Sequence, residues 1–141
     1  NDLINLINEN RLIKIDGKHI AIAGITDFRA HQIKREHKSD PKKALESIDK
    51  DIVKILLAHQ PNSIYSVHDA GADLQLSGHT HGGQFWPLNY PTKLANAYLA
   101  GHYEHGSTQI YVNRGTGYWG PPLRIGIPAE ISLLRLKNKV V

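Results

Sequence analysis

Two short apolar runs, separated by a stretch that reads as a helix, constrain this chain most. They are Ile52-Val53-Lys54-Ile55-Leu56-Leu57-Ala58 and Asp73-Leu74-Gln75-Leu76-Ser77. The first is almost continuously apolar, the pattern of a strand buried on both faces. It stops at His59-Gln60-Pro61. Asn62 stands where it could cap a helix over residues 63–70, and Gly71 where it could end one. Strand, helix and strand in so short a span make a βαβ unit, whose strands run parallel with a right-handed crossover. Ligand sites in such sheets gather outside the carboxyl ends of the strands.

The remaining elements fit around that unit. Residues 12–15 and 19–23 alternate in polarity and meet through Asp16-Gly17, a strong hairpin signal. Residues 3–8 fit a short helix or a strand, and residues 24–40 read as a long loop. Asp40-Pro41 starts a helix, with Asp as N-cap and Pro in the first turn, which the pattern carries to about Lys50. Residues 109–113 and 129–136 supply two more strands. Nine of the twelve glycines lie between Gly78 and Gly126, and five of the seven prolines between Pro87 and Pro128. The last third is therefore rich in loops, which often carry function. The class is mixed α and β with a sheet core.

Composition excludes several functions. The 141 residues include no cysteine, so disulfides and thiolate metal sites are ruled out. No apolar run reaches the roughly 18 residues of a membrane span. Methionine is absent too, which points to a processed chain or a fragment. Residues 1–69 carry 11 basic and 10 acidic groups, whereas residues 70–141 carry 6 and 3. That balance suits an anionic ligand in the second part. The densest basic stretch (Arg29, Lys34, Arg35, Lys38, Lys42, Lys43) is broken by Glu36 and Asp40. It holds no aromatic after Phe28, so it lacks the stacking platforms of a nucleic-acid strip and reads as a solvated loop and helix face. No specific nucleic-acid binding is expected.

Three histidines carry the chemistry. His59 follows one parallel strand, and His79 and His81 follow the next, in Ser77-Gly78-His79-Thr80-His81-Gly82-Gly83-Gln84. Two adjacent strand ends should bring the three imidazoles together. In extended backbone, residues i and i+2 share a side, so His79 and His81 could face one centre or one of two neighbouring metals each. Gly78, Gly82 and Gly83 exclude a stable helix here and allow close backbone approach. Imidazole suits Zn, Fe, Mn or Ni. His102 and His105, flanking Glu104 in a glycine-bounded loop, form a second and weaker ligand candidate.

These residues resemble the calcineurin-like metallophosphoesterase superfamily, and most of all its bacterial branch of membrane-associated or exported phosphodiesterases. The resemblance rests on Ile55-Leu56-Leu57-Ala58-His59-Gln60-Pro61 and Leu76-Ser77-Gly78-His79-Thr80-His81-Gly82-Gly83-Gln84. It continues through Asn113-Arg114-Gly115-Thr116-Gly117-Tyr118-Trp119-Gly120-Pro121-Pro122-Leu123-Arg124-Ile125-Gly126. It implies hydrolysis of phosphodiesters or phosphomonoesters by two divalent metals (Mn, Fe or Zn) that clamp the phosphate and activate a hydroxide. It also implies that His59 and His79 serve one metal and His81 the other. Arg114, Gly115, Thr116 and Gly117 would meet the substrate. Trp86, Tyr118 and Trp119 would wall off a lipid-linked or nucleotide-linked part of it, or simply pack the loops, and Arg124 would pair with phosphate or with Glu130.

The family's remaining metal motifs are an Asp-x-His, a Gly-Asp-x-x-Asp and an Asn-His pair, and none occurs here. The resemblance therefore covers the C-terminal half of the family domain: one sheet of a two-sheet β-sandwich, with its flanking helices. At most one metal is expected on this chain, which alone would be inactive or nearly so. The absent half would leave an apolar sheet face bare, favouring a homodimer. The intact protein would be bacterial and bound to the cytoplasmic membrane or exported, and this chain soluble. The competing function is a non-catalytic module that holds a phosphate or an envelope polymer.

Overall fold

Asp16 and Gly17 both take left-handed backbone, φ +48° and +80°, as a two-residue hairpin turn requires. They join β1 (Glu9–Ile15) to β2 (Lys18–Gly24) in the computed structural model, which describes residues 3–137. The sheet continues with β3 (Val53–Leu57), β4 (Leu74–Ser77), β5 (Gly101–His105) and β6 (Thr108–Val112). Its spatial order is β1-β2-β3-β4-β6-β5. The four inner strands β2, β3, β4 and β6 run parallel, and an antiparallel hairpin lies at each edge. The loops that follow these four strands consequently share one end of the sheet.

One face of the sheet is covered. Ala23, Leu56 and Ala58 pack with Ala44 and Leu45 of the turn at α1 (Pro41–Ala44) and with Val67 of α2 (Ile64–Asp69). Ile110 and Val112 extend this core against Ile64, Ala97 and Tyr98. Strand alternation sends the neighbouring side chains to the other face. There Ile13, Ile15, Val53 and Leu57 stay 42–52% exposed. The expected bare apolar face is present only in part, because Ile55 and Leu74 on the same face are buried, and the described residues form one sheet of mixed α/β class.

Several elements differ from expectation. The helix after Asp40 keeps its cap, with the carboxylate accepting from the Lys43 N–H at 3.0 Å, but ends at Ala44 rather than Lys50. Left-handed Ser47 (φ +65°) breaks it, and one turn already buries Ala44 and Leu45. Asn62 does not cap α2. Its side chain instead holds Ala95 O and the Ala97 N–H, tying down the far end of α3 (Asn89–Ala95), a helix hidden in the sequence by Pro91. Residues 129–136 take no regular secondary structure and pair with no described strand, although the outer edges of β1 and β5 are open. Ile131 and Leu133 stand 90% and 93% exposed. Residues 3–8 form neither helix nor strand. Among the described residues, no helix is long and apolar enough to cross a membrane.

Candidate metal centre

His59 and His79 are placed by a buried polar ladder between β3 and β4. The Ala58 N–H donates to Leu76 O at 3.0 Å, and the Gly78 N–H donates to His59 O at 3.1 Å. Beneath them the Ser77 hydroxyl donates to Ala58 O at 2.7 Å, and the buried Gln75 amide donates to Ser77 Oγ at 2.8 Å. Leaving such buried groups unpaired costs about 1–3 kcal/mol each, so the two strand ends are locked in register. His79 Nδ1 and His59 Nε2 then lie 3.1 Å apart, their rings edge to face with centroids at 4.9 Å. Two nitrogens at that distance share one proton. Burial, then the neighbouring His59, holds the His79 pKa below the ordinary histidine value, with Asp27 pulling the other way.

His81 is oriented differently. The segment is not extended: His79, His81 and Gln84 all take left-handed backbone, at φ +69°, +50° and +59°, around a 3-10 turn at His81–Gly83. Each such residue costs about 1–3 kcal/mol, and strain of this kind clusters at functional sites. The His81 ring meets the Arg124 guanidinium, with Nδ1 at 3.1 Å from Arg124 Nη2. A guanidinium only donates, so His81 Nδ1 accepts and its proton sits on Nε2. Burial, then the Arg124 charge, keeps its pKa low. Among the described residues, no three His, Asp or Glu side chains converge as a preformed metal cage. The donor set fits part of one metal shell, the two imidazoles of His59 and His79. His81 stands beside them, engaged by Arg124.

The loop after β6 packs onto this turn. Gly82 (φ +65°) has no room for a side chain, since an added Cβ would come within 2.9 Å of Ile127 and 3.1 Å of Arg114. The Arg114 stem thus lies against the histidine turn, and the Cα of Gly115 faces His81 Nδ1. The Gly115 N–H is occupied by Asn113 Oδ1 at 2.6 Å, while Thr116 and Gly117 are exposed. Arg124 does not pair with Glu130 as one alternative had it. It donates to the carbonyls of Gly117 (2.7 Å), Arg114 (2.8 Å) and Gly115 (3.1 Å), which makes it the clamp of this loop. Glu130 pairs with Arg114 instead, at 3.8 Å.

Two features escaped the sequence. Asp27 accepts two bonds at 3.1 Å from the buried Gln60 amide, next to His59. The signal was its position just past β2, which is parallel to β3. Arg124 was named without its function as a clamp, because its partners are backbone carbonyls. The second ligand candidate fails. Alternation on β5 puts His102 and Glu104 on one side and His105 on the other, where His105 meets the Tyr98 hydroxyl at 3.1 Å.

Glu130 fastens the loop after β6 and supports a pH prediction. It accepts from the Tyr111 and Ser132 hydroxyls, and from Asn113 at 3.3 Å. Burial alone would raise its pKa, but the bonds from Ser132 and Tyr111 outweigh burial and hold the carboxyl below its ordinary value. The unfolded chain then binds this proton more readily, so Glu130 stabilises the fold above the ordinary carboxylate range and ceases to as pH falls through its folded value. Glu130→Gln should lower stability by about 2 kcal/mol at pH 7, read as a denaturant midpoint. The gap to wild type should close towards pH 3. A gap that stays constant over that range would contradict the assignment.

No family model matches the chain, and no solved structure matches it. Proteins of similar sequence are nevertheless consistent in kind. An uncharacterized metallophosphoesterase of Helicobacter pylori is 45% identical over 99% of this chain and 37% of its own length. A transmembrane protein with metallophosphoesterase domain from Bos taurus is 42% identical over 94% of this chain and 32% of its own. The UDP-2,3-diacylglucosamine pyrophosphatase LpxG of Chlamydia trachomatis is 36% identical over 82% and 37%. This chain spans about a third of the length of these relatives. Sequence similarity along almost the whole chain places it in the metallophosphoesterase family.

Proposed function

We propose that the protein carrying this chain hydrolyses phosphate esters with two divalent metals, His59 and His79 contributing to one site and His81 to the other. The observation that carries this is the 3.1 Å contact between His59 and His79 across two strand ends. Divalent ions held there would supply charge for the phosphoryl oxygens and acidify the attacking water. This chain contributes orientation. His81 is held by Arg124, and to ligate a metal it would give up either that bond or its Nε2 proton. Arg114 and Thr116 stand beside it to meet phosphate, with Gly115 and Gly117 shaping the turn that brings them there. With three histidines at the strand ends and no clustered carboxylate among the described residues, the chain holds at most one metal and does not turn over substrate alone. The name of the LpxG relative favours a lipid-linked substrate, and the names of the transmembrane relatives favour a site close to a membrane.

Hydrolysis of bis(p-nitrophenyl) phosphate with added Mn tests this. A longer protein containing this sequence should be active and lose about a hundredfold or more on His79→Ala. The isolated chain should show no rate above background. An inactive longer protein overturns the function, and a chain as fast as the longer protein overturns the division of ligands.

The bare sheet face supports a second element of the proposal. Ile13, Ile15, Val53 and Leu57 present apolar surface that a second copy of this chain would cover. Light scattering at micromolar concentration should give the mass of a dimer, about twice 15.7 kDa. A monomer at that concentration would contradict it.

A further inference from the structure

The end of the sheet that carries the histidines is unusual in its surface. Five of the six exposed aromatic side chains, Phe28, Trp86, Tyr90, Tyr118 and Trp119 but not Tyr65, lie in the segments that follow β2, β4 and β6. The parallel inner strands bring those segments to one end. Trp86, Tyr118 and Trp119 are 56–65% exposed, and Ile125 beside them is 54% exposed. Among the described residues, none of these rings stacks on another. They are nonetheless held on a built platform. The fully buried Gln84 side chain accepts from the Trp119 N–H at 2.7 Å and donates to Trp119 O at 2.9 Å and Pro121 O at 3.2 Å. The Trp86 N–H donates to Ile125 O at 3.2 Å.

Basic residues flank the platform. The loop after β2 places Arg29, Lys34, Arg35 and Lys38 on the surface at this end, and exposes Phe28 and Ile33 there as well. Glu36 pairs with Lys34 at 3.2 Å, and Asp27, bonded by the neutral Gln60 amide, and Asp40 keep their charge, so residues 27–40 carry four basic and three acidic side chains. From Gln84 to Pro128 the only acidic residue is Glu104. Tryptophan and tyrosine, apolar in body and polar at one edge, sit at headgroup depth in a bilayer, and cations nearby favour anionic lipid. A second copy would find a larger aliphatic surface on the bare sheet face, which is a different part of the molecule.

We propose that the histidine end of the sheet docks on an anionic lipid bilayer, with Trp86, Tyr118 and Trp119 at headgroup depth and the loop after β2 against the lipid phosphates. This surface requires no metal and no catalysis, so it is tested apart from the proposed hydrolysis. Both tryptophans of the chain lie on it, so intrinsic fluorescence reads the surface directly.

The experiment is the 141-residue chain with phosphatidylcholine vesicles, with and without phosphatidylglycerol, some carrying brominated acyl chains. Binding to the phosphatidylglycerol vesicles is expected, with a blue shift and bromine quenching of tryptophan emission. Arg29→Gln and Arg35→Gln should each weaken it about fivefold, from roughly 1 kcal/mol per basic residue at an anionic surface. Trp86→Ser combined with Trp119→Ser should abolish sedimentation with vesicles, whereas Tyr65→Ala, on α2 at the other end, should not change it. No binding to phosphatidylglycerol vesicles would overturn the proposal. Binding without bromine quenching, or with the double tryptophan variant unaffected, would also overturn it. Self-association that hides the tryptophans without lipid uptake would assign the surface to a second copy and overturn it equally.

Discussion

Everything functional in this chain depends on how tightly the ends of β3 and β4 are tied together. Those ends are joined by main-chain bonds and by a ladder through Gln75 and Ser77, with almost no water access. A slip of one residue would send every side chain of a strand to the opposite face. It would also leave several buried polar groups without partners, each costing about 1–3 kcal/mol. The register is therefore fixed, and with it the 3.1 Å approach of His59 to His79. Hydrophobic burial holds the sheet on its helices, but the polar ladder sets where the imidazoles stand.

Around that fixed pair the structure holds the neighbouring loops with directional bonds rather than with apolar packing. Arg124 gathers the carbonyls of residues 114, 115 and 117 and turns the His81 ring towards itself. Glu130 gathers Tyr111, Ser132, Asn113 and Arg114. Gln84 gathers the segment that bears Trp119. Each is a single polar side chain acting as a staple for a glycine-rich loop that has little apolar surface of its own to bury. The same arrangement leaves the tryptophans and tyrosines outward, and leaves the uncovered sheet face as the other large apolar surface.

The sequence made parts of this legible because local chemistry and global fold agree there. Asp16-Gly17 could only turn a hairpin, and the βαβ spacing could only bring His59 beside the strand end that bears His79. Asp40-Pro41 announced a cap that is present. Elsewhere the local signal pointed away from the fold. Pro91 hid α3, and the glycines around β5 made it look like a loop. Residues 129–136 alternate like a strand, yet Glu130 and Ser132 are drawn into side-chain bonds with Tyr111 and Asn113 rather than into a ladder. The His79–His81 spacing was read for extended backbone, whereas three left-handed residues turn His81 towards Arg124. Staples such as Arg124 and Gln84 bond to backbone atoms, which leave no trace in residue identity.

The central claim is that His59 and His79 form a ready pair and His81 stands apart from it. A Zn titration of the chain, followed by NMR of its imidazole nitrogens, tests this most directly. The account predicts that the His59 and His79 signals move together at the lowest Zn concentrations, with a stoichiometry of about one. His81 and His102 should stay in place over that range. Signals of His81 moving in step with the pair, or no response from any of the three, would contradict it.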